Sequence, residues 1–419
     1  MSCENCGMCA KQNTFNKIKE KYSGLTEEFM YDFNVHSKPH SILLGLTNDC
    51  NLACPYCFVK QDKQAMSYEI AEQSVKWVLN NIIDKENIDK PTVIFFGGEP
   101  LLMFDEIIVP LVENYGNKVN FSITTNGVLL DEDKVDFFYK NNVDILLSFD
   151  GLKVIQNKQR PGKEIDSYNT IIKNIPYYIL RYPNATMRMT LTKDSIPYLF
   201  DTVIFAEELG FNKIVFVPNA YEQWGIEEEK EYDVQLQKIG LHIYKSFFNN
   251  KQPIRVAPII ETFNKIHLSL FNGLKFNNNI MRCGLGTTSC AITPNGDIIP
   301  CQEKISNPIT TIGNTYTGID AIKHKQYLET YITAINNIKC NNKNYSIKEC
   351  LHCLSTLCPS RLEDLRFELS SSICCYNRIL LKNTNRLFML CYENINPFMQ
   401  SYFDVNNIIE SEDKVNEST

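Results

Sequence analysis

The 419-residue chain lacks long apolar runs. No run approaches the roughly 18 residues that cross a membrane, and the N-terminus, MSCENCGMCAKQ, has no apolar stretch typical of a signal peptide. An excess of basic residues is also missing, because 42 Lys and Arg stand against 49 Asp and Glu. Non-specific binding to nucleic acid or to an anionic membrane requires a basic face. We therefore expect a cytoplasmic protein with no nucleic-acid or membrane partner.

Cysteine is absent from residues 58–282, although the chain contains 16 cysteines. The cytoplasm keeps thiols reduced, which argues against a disulfide framework. Clustered thiolates in such a protein indicate metal or iron–sulfur centres. The uneven distribution therefore predicts dedicated sites rather than scattered core thiols. The three groups are Cys3, Cys6 and Cys9; Cys50, Cys54 and Cys57; and ten cysteines from Cys283 to Cys391.

The middle of the chain alternates β-rich runs with segments of helical periodicity. This alternation predicts an α/β fold with a parallel sheet and right-handed crossovers. Six units are too few for a closed eight-fold barrel, so we expect a partial barrel or a doubly wound sheet. In either fold the functional loops follow the C-terminal ends of the strands. The predicted strands are 41–46, 92–96, 119–124, 144–149, 186–191 and 213–217, and the predicted helices are 67–83, 101–115, 131–141, 166–181 and 195–209.

Four of those loops carry unusual residues. They read TNDCNLACPYCF, GGEP, TNG and DG, and they follow four successive strands, so they meet at one rim of the sheet. In the first loop, Cys50, Cys54 and Cys57 form a CxxxCxxC motif. Three thiolates on a tight loop suit a [4Fe–4S] cluster and leave one iron open to a small molecule. The alternative is a structural zinc site that is completed by a distant fourth ligand.

Residues 41–220 resemble the radical S-adenosylmethionine (radical SAM) superfamily. The resemblance implies a partial (β/α)6 barrel whose open iron binds S-adenosylmethionine (SAM). It also implies an electron donor of the flavodoxin or ferredoxin type. In that family the electron cleaves SAM to a 5′-deoxyadenosyl radical, which abstracts a hydrogen atom from the substrate. The resemblance rests on Cys50, Cys54 and Cys57 with Tyr56, on Gly97-Gly98-Glu99-Pro100, on Thr125-Asn126-Gly127 and on Ser148-Phe149-Asp150-Gly151.

The same loops provide the predicted SAM contacts. Glycines let the backbone approach a ligand closely, a glutamate pairs with an ammonium group, and an arginine pairs with a carboxylate. Two simpler interpretations remain open, namely that GGEP is an ordinary turn before a helix and that Arg160 is a solvated surface charge. Arg188 and Thr190, which alternate on the fifth strand, rank below Arg160. The predicted contacts are Tyr56, Gly97, Gly98, Glu99, Thr125, Asn126, Ser148, Asp150 and Arg160.

The C-terminal cysteines surround a predicted β-hairpin at Asn295-Gly296. Residues 283–391 resemble the SPASM extension of radical SAM enzymes, which carries two auxiliary [4Fe–4S] clusters. The resemblance implies Cys283, Cys290 and Cys301 for the first cluster. For the second it implies Cys350, Cys353, Cys358 and one member of the pair Cys374 and Cys375.

One departure from the SPASM pattern leaves a ligand open. Leu362 stands where the family has a further cysteine. The fourth ligand of the first cluster is therefore Cys340, the second member of the Cys374/Cys375 pair, Cys391, an N-terminal cysteine or a thiol of the substrate. The three N-terminal cysteines either bind a cluster or belong to an unliganded tail.

These patterns divide the chain into five predicted parts. Because about 40 residues precede the first strand, we do not expect a complete leader-binding domain there. The parts are a Cys-rich segment (1–38), the barrel (39–235), linker helices (236–280), the SPASM domain (281–395) and an acidic tail (396–419).

The resemblance implies a peptide substrate. We expect a maturase that forms thioether or carbon–carbon crosslinks in a ribosomally made precursor peptide. A sulfatase maturase is disfavoured, because Gln302 stands where that branch has a catalytic Asp, and a neutral amide cannot accept a proton as a carboxylate does. The sequence also leaves open a radical SAM enzyme that acts on a small molecule and a non-enzymatic zinc-ribbon protein.

Overall fold

The fold was analysed in a computed structural model of the chain. The structure describes residues 39–81, 90–249, 251–263, 284, 286–306, 311–337 and 371–392. No helix in these ranges is long and apolar enough to cross a membrane.

A single sheet of eleven strands organises the described residues. Its first six strands confirm the six predicted runs to within about one residue, because each run is bounded by turn residues and buries alternate side chains. The strands are β1 (Ser41–Thr47), β2 (Thr92–Gly97), β3 (Asn120–Thr125), β4 (Asp144–Ser148), β5 (Thr186–Leu191), β6 (Lys213–Pro218), β7 (Arg255–Val256), β8 (Ser289–Ile292), β9 (Asp297–Ile299), β10 (Gly313–Asn314) and β11 (Gly318–Ile319).

Helices connect the parallel strands, as the periodicity predicts. The helix over 153–159 was not predicted. A 3-10 turn (Pro100–Met103) and a π-helical turn (Phe104–Ile108) lead into the second helix, and another 3-10 turn (Ile196–Tyr198) precedes the sixth. The helices are α1 (Tyr68–Asn81), α2 (Val109–Tyr115), α3 (Glu132–Lys140), α4 (Lys153–Gln159), α5 (Ser167–Arg181), α6 (Leu199–Glu208), α7 (Ile226–Phe248), α8 (Ala321–Asn337) and α9 (Ser371–Tyr392).

Strands β1 to β7 lie side by side in sequence order and are parallel, which confirms the partial (β/α)6 barrel. All functional loops therefore leave the same edge of the sheet. The core lies between the sheet and the helices. On α1, Ala71, Val75 and Val78 are fully buried at the predicted helical spacing.

The C-terminal strands extend the same sheet. Strand β8 pairs in parallel with β1, and β8 to β11 then continue antiparallel. The predicted hairpin at Asn295-Gly296 is confirmed between β8 and β9, where Gly296 adopts a φ of +84° that favours glycine. The cysteine-bearing hairpin is therefore hydrogen-bonded directly to the barrel.

Helix α9 packs along α7 on the other side of the barrel. Tyr376 stacks on Tyr232 with 5.6 Å between ring centroids, and its hydroxyl donates to the Phe216 carbonyl at the end of β6. Helix α7 runs unbroken across residues 235 and 236, where the sequence predicted a domain boundary.

Candidate functional site

The loop after β1 carries the CxxxCxxC motif and is tied down at several points. The Cys57 amide donates to the Cys54 carbonyl, which closes a tight turn between the two cysteines. The Ala53 amide donates to the carbonyl of Pro161 at 2.9 Å, which fixes the loop against the chain after α4. Cys50, Cys54 and Cys57 are free thiols that range from buried to exposed. The three cysteines of the motif therefore lie on a fixed backbone.

These three thiols suit a cationic iron centre. Burial raises the pKa of Cys50 to about 11 and that of Cys54 to about 12, and it also raises the pKa of Cys57. Positive iron offsets this desolvation cost, because the thiolate is the ligand form. N–H groups already point at sulfur: the Leu52 amide lies 3.4 Å from the Cys50 Sγ.

No group of three His, Cys, Asp or Glu side chains within the described ranges is arranged to hold a single metal ion. A [4Fe–4S] cluster does not require that convergence, because each thiolate binds a different iron.

The GGEP loop packs against the cysteine loop. The Gly98 amide donates to the Thr47 carbonyl at 2.7 Å, and the Glu99 amide donates to the Asp49 carbonyl at 2.9 Å. A Cβ atom at Gly98 would lie 2.1 Å from the Asp49 carbonyl oxygen, and Gly97 adopts a φ of +132°. Glycine is therefore required because two backbones meet here. Close approach of the Gly97 and Gly98 backbone to SAM stays a prediction.

Glu99 joins the GGEP loop to the loop after β3. Its fully buried carboxylate accepts hydrogen bonds from the Leu101 amide at 3.0 Å, the Thr125 hydroxyl at 2.7 Å and the Asn126 amide at 2.8 Å. Burial raises the pKa of Glu99 to about 7, and these hydrogen bonds oppose the shift. Both carboxylate oxygens of Glu99 therefore accept hydrogen bonds from donors of the protein.

Asp150 and Arg160 form a buried ion pair beside the cysteine loop. The Arg160 Nε lies 2.9 Å from the Asp150 Oδ2, and the Arg160 guanidinium lies over the Tyr56 ring, 5.6 Å from its centroid. The Tyr56 hydroxyl donates to the same oxygen at 2.7 Å. The structure therefore rejects the alternative that Arg160 is a solvated surface charge, since its side chain is only 8% exposed.

Further donors surround the Asp150 carboxylate. The Gln159 Nε2 donates to Oδ2 at 2.9 Å, and the Thr190 amide donates to Oδ1 at 2.9 Å. The Gln156 Oε1 accepts a hydrogen bond from the Asp150 amide at 2.8 Å. Sequence reasoning missed both glutamines. The sequence feature that could have revealed them is their i, i+3 spacing, which places both side chains on one face of α4.

Ser148, the last residue of β4, and Arg188, in the middle of β5, are neighbours in the sheet. They are register partners, so both side chains point to the same face of the sheet. Burial lowers the pKa of Arg188, and the positive charge of Arg160 lowers it further. Two guanidinium groups thus approach each other at the rim, which favours an anionic ligand there.

Two predicted auxiliary ligands lie on the β8–β9 hairpin. Cys290 is on β8 opposite Ile42 of β1, and complete burial raises its pKa. Cys301 follows β9 and begins the 3-10 turn that contains Gln302 and Glu303. The predicted ligands Cys283, Cys350, Cys353 and Cys358, together with Cys3, Cys6, Cys9 and Cys340, lie outside the described residues.

The Cys374/Cys375 pair lies at the start of α9. The buried Cys375 thiol donates to the Glu229 Oε1 at 2.7 Å, and Arg378 pairs with the other oxygen of that carboxylate at 2.7 Å. Burial raises the pKa of Cys375 to about 12, and the contact with Glu229 adds to this shift. Cys374 is partly exposed. The two members of the pair therefore have different environments.

Family models match two regions of the chain. Residues 44–194 match the model of the radical SAM superfamily, and residues 283–354 match SPASM, an iron-sulfur cluster-binding domain. The radical SAM match contains the four rim loops.

Relatives are similar over part of the chain. The radical SAM cyclopropyl synthase TigE of Paramaledivibacter caminithermalis is 28% identical over 48% of this chain, and the alignment spans 47% of TigE. A cysteine-type anaerobic sulfatase-maturating enzyme of Clostridium novyi is 25% identical over 71% of this chain and 83% of its own length. The chain thus spans about half of the first relative and most of the second.

A solved structure has the same fold. It is native anSMEcpe with bound AdoMet and the Cp18Cys peptide, which gives a TM-score of 0.62 at 21% identity. The match covers 84% of this chain and 99% of that one. The cysteine loop, the rim and the two family models agree, so the chain contains a radical SAM domain within residues 44–194 and a SPASM domain within residues 283–354.

Proposed function

We propose that this enzyme modifies a ribosomally made peptide by radical chemistry, with thioether or carbon–carbon crosslinking as the reaction. The observation that carries the proposal is the rim, where the three thiols, the Glu99 network and the Asp150–Arg160 pair lie beside one another. A [4Fe–4S] cluster bound there would supply the electron that cleaves SAM to the 5′-deoxyadenosyl radical. A flavodoxin or ferredoxin is the proposed source of that electron.

The chain's own residues hold the cofactors. Cys50, Cys54 and Cys57 are the proposed cluster ligands. Arg160, which Asp150 orients, is proposed to pair with the carboxylate of SAM, and the Tyr56 ring beside it is proposed to line the adenine. The remaining predicted contacts, Gly97, Gly98, Glu99, Thr125, Asn126, Ser148 and Asp150, stand as proposals in which the two carboxylates act by positioning their neighbours.

The balance of the crosslinking step requires an electron acceptor. One hydrogen atom leaves the peptide to the adenosyl radical, a proton leaves as the new bond closes, and one electron must pass to an acceptor. The auxiliary centres of the SPASM domain are the proposed acceptors, since iron–sulfur potentials cover a wide range. Among their proposed ligands we favour Cys374 over Cys375, because Cys374 is partly exposed whereas Cys375 is buried.

An anaerobic assay tests the proposal. Reconstituted protein is mixed with dithionite, SAM and a Cys-containing precursor peptide encoded beside the gene, and products are identified by mass spectrometry. We expect 5′-deoxyadenosine and a peptide that has lost two hydrogens per link. Cys54→Ala should abolish both products, whereas Lys140→Gln, on the exposed surface of α3, should retain them. Zinc without iron in the purified protein, or absence of the nucleoside, would contradict the radical mechanism.

A sulfatase maturase is the second candidate function. Gln302 provides no carboxylate, but the adjacent Glu303 accepts a hydrogen bond from the Tyr221 hydroxyl at 3.4 Å, which brings a carboxylate to the chain after β6. The C. novyi relative also aligns over more of the chain than TigE does. Conversion of cysteine to formylglycine in a sulfatase-derived peptide, with the precursor peptide unchanged, would favour this candidate. Nucleoside release with both peptides unchanged would point to a small-molecule substrate.

A further inference from the structure

We propose that Asn126 tunes the reduction potential of the SAM-cleaving cluster by donating an amide hydrogen bond to the Cys50 sulfur, and that Glu99 positions Asn126 for this role. The inference rests on the proposed function in one respect, namely that Cys50 is a cluster ligand. It adds a role for the TNG loop that is distinct from SAM binding.

The orientation of the Asn126 side chain is fixed by its hydrogen bonds. Its Oδ1 accepts from the Val128 amide at 3.0 Å, so the Nδ2 must point the other way. The Nδ2 donates to the Asn51 Oδ1 at 2.8 Å and lies 3.6 Å from the Cys50 Sγ. In a flipped amide, the Asn126 oxygen would face the Asn51 oxygen, and the Asn126 NH2 group would face the N–H group of Val128. The N–H group is therefore held toward the sulfur.

Glu99 holds the backbone from which this side chain extends. Its carboxylate accepts from the Asn126 amide and from the hydroxyl of Thr125, and that hydroxyl in turn accepts from the Gly127 amide at 3.1 Å. Glu99 is fully buried and its own amide is bound to the cysteine loop. A single carboxylate thus fixes the TNG loop relative to Cys50.

A hydrogen bond to a ligand sulfur withdraws electron density from the thiolate and stabilises the reduced cluster. The three thiols differ in this respect. Cys57 is hydrogen-bonded by the Val59 backbone, and Cys54 experiences the positive field of Arg160. Cys50 has one backbone donor, from Leu52, and the Asn126 side chain. Because the Asn126 donor is a side chain, substitution can remove it without changing a ligand.

Two substitutions remove the donor in different ways. Asn126→Asp keeps the shape but replaces the N–H group with an acceptor, and Asn126→Leu removes the donor without adding charge. Glu99→Gln leaves Asn126 and all ligands in place. It replaces one acceptor oxygen with an NH2 group, which faces donors that now bind the Glu99 carboxylate. Asn114→Asp, on the exposed side of α2, is the matched control for an asparagine-to-aspartate change.

Cluster-loaded protein is titrated anaerobically with reductant in the absence of SAM and peptide. Electron paramagnetic resonance measures the reduced cluster at each potential. Auxiliary ligands are kept intact in every variant, so the other clusters serve as internal references. We expect at least a tenfold drop in the ratio of reduced to oxidised SAM-cleaving cluster at a fixed potential for both Asn126 variants, or about 59 mV for a one-electron couple. Glu99→Gln should shift it in the same direction by less, because losing the Glu99 charge, which acts on Cys50, opposes the effect of misplacing Asn126. Asn114→Asp should not shift it.

The outcomes separate this inference from the proposed function. Unshifted potentials in Asn126→Asp and Asn126→Leu would overturn the tuning role while the peptide assay remained positive. A shift in Asn126→Asp alone would also overturn it, because added charge would then be the cause. If Asn126→Leu does not retain iron, the comparison of Glu99→Gln with wild type decides. A potential equal to or above that of wild type would then reject the positioning of Asn126 by Glu99.

Discussion

Replacing Asp150 by asparagine should destabilise the protein strongly. The Asp150 and Arg160 side chains are 0% and 8% exposed, so removing the carboxylate charge leaves a buried guanidinium uncompensated. Breaking a buried pair in this way costs about 3–5 kcal/mol. The new amide nitrogen would also face donors from Tyr56, Gln159 and Arg160 if the Thr190 amide kept its oxygen partner.

The chain contains a matched control for this prediction. Asp136 also accepts from an arginine and a tyrosine: the Arg181 Nη2 donates at 3.3 Å and the Tyr177 hydroxyl donates at 2.8 Å. The Arg181 Nε lies 2.8 Å from the same carboxylate as its ion-pair partner. That pair is 26% and 37% exposed, so solvent screens it and Asp136→Asn should destabilise the protein far less. The two substitutions therefore differ mainly in burial.

Anaerobic urea titrations of the cluster-loaded variants would measure both free energies of unfolding. We expect Asp150→Asn to lower the free energy of unfolding by several kcal/mol more than Asp136→Asn. Equal losses below about 1 kcal/mol would refute the argument that burial makes the Asp150–Arg160 pair structurally essential.

Two further predictions concern the loop contact and the auxiliary ligands. Gly98→Ala should lower the free energy of unfolding by about 1–3 kcal/mol and reduce iron content, since its Cβ meets backbone. Gly240, in α7, is the control, because a Cβ atom there would meet no neighbouring group within 4 Å. Gly240→Ala should raise the free energy of unfolding by up to about 1 kcal/mol. Equal effects of the two substitutions would contradict the loop-contact argument. Cys374→Ser should lower the iron content of reconstituted protein, whereas Cys375→Ser should leave it near wild type. The opposite ranking in an iron assay would reverse the proposed assignment.

The strands and most helices could be predicted because they depend on local patterns. β-rich runs such as 92–96 end at turn residues, and α1 repeats apolar residues at helical spacing. Helix α4 was missed because it has seven mostly polar residues, which is too short for periodicity to be distinctive. Its two glutamines matter only because of their contact with Asp150, which the fold alone creates.

The site could be predicted as a set of loops but not as a set of contacts. Parallel strands bring their C-terminal ends to one edge, so the residues of the rim followed from the strand order. The hydrogen-bond partners within the rim could not be predicted, because they are distant in sequence. Tyr56 and Asp150 are separated by 94 residues, and Asn126 and Cys50 by 76. Sequence patterns give residue types and spacing, whereas a hydrogen bond requires positions within about 3 Å.

The contacts change how the two motif acids should be understood. From the sequence, Glu99 and Asp150 are expected to bind SAM directly. In the fold each carboxylate is fully buried and its oxygens accept hydrogen bonds from protein donors. Each also holds one nitrogen-bearing side chain beside the thiols, because Glu99 fixes Asn126 and Asp150 fixes Arg160. Loss of either acid should therefore resemble loss of the side chain that it positions, with an added cost in stability from the donors left unpaired.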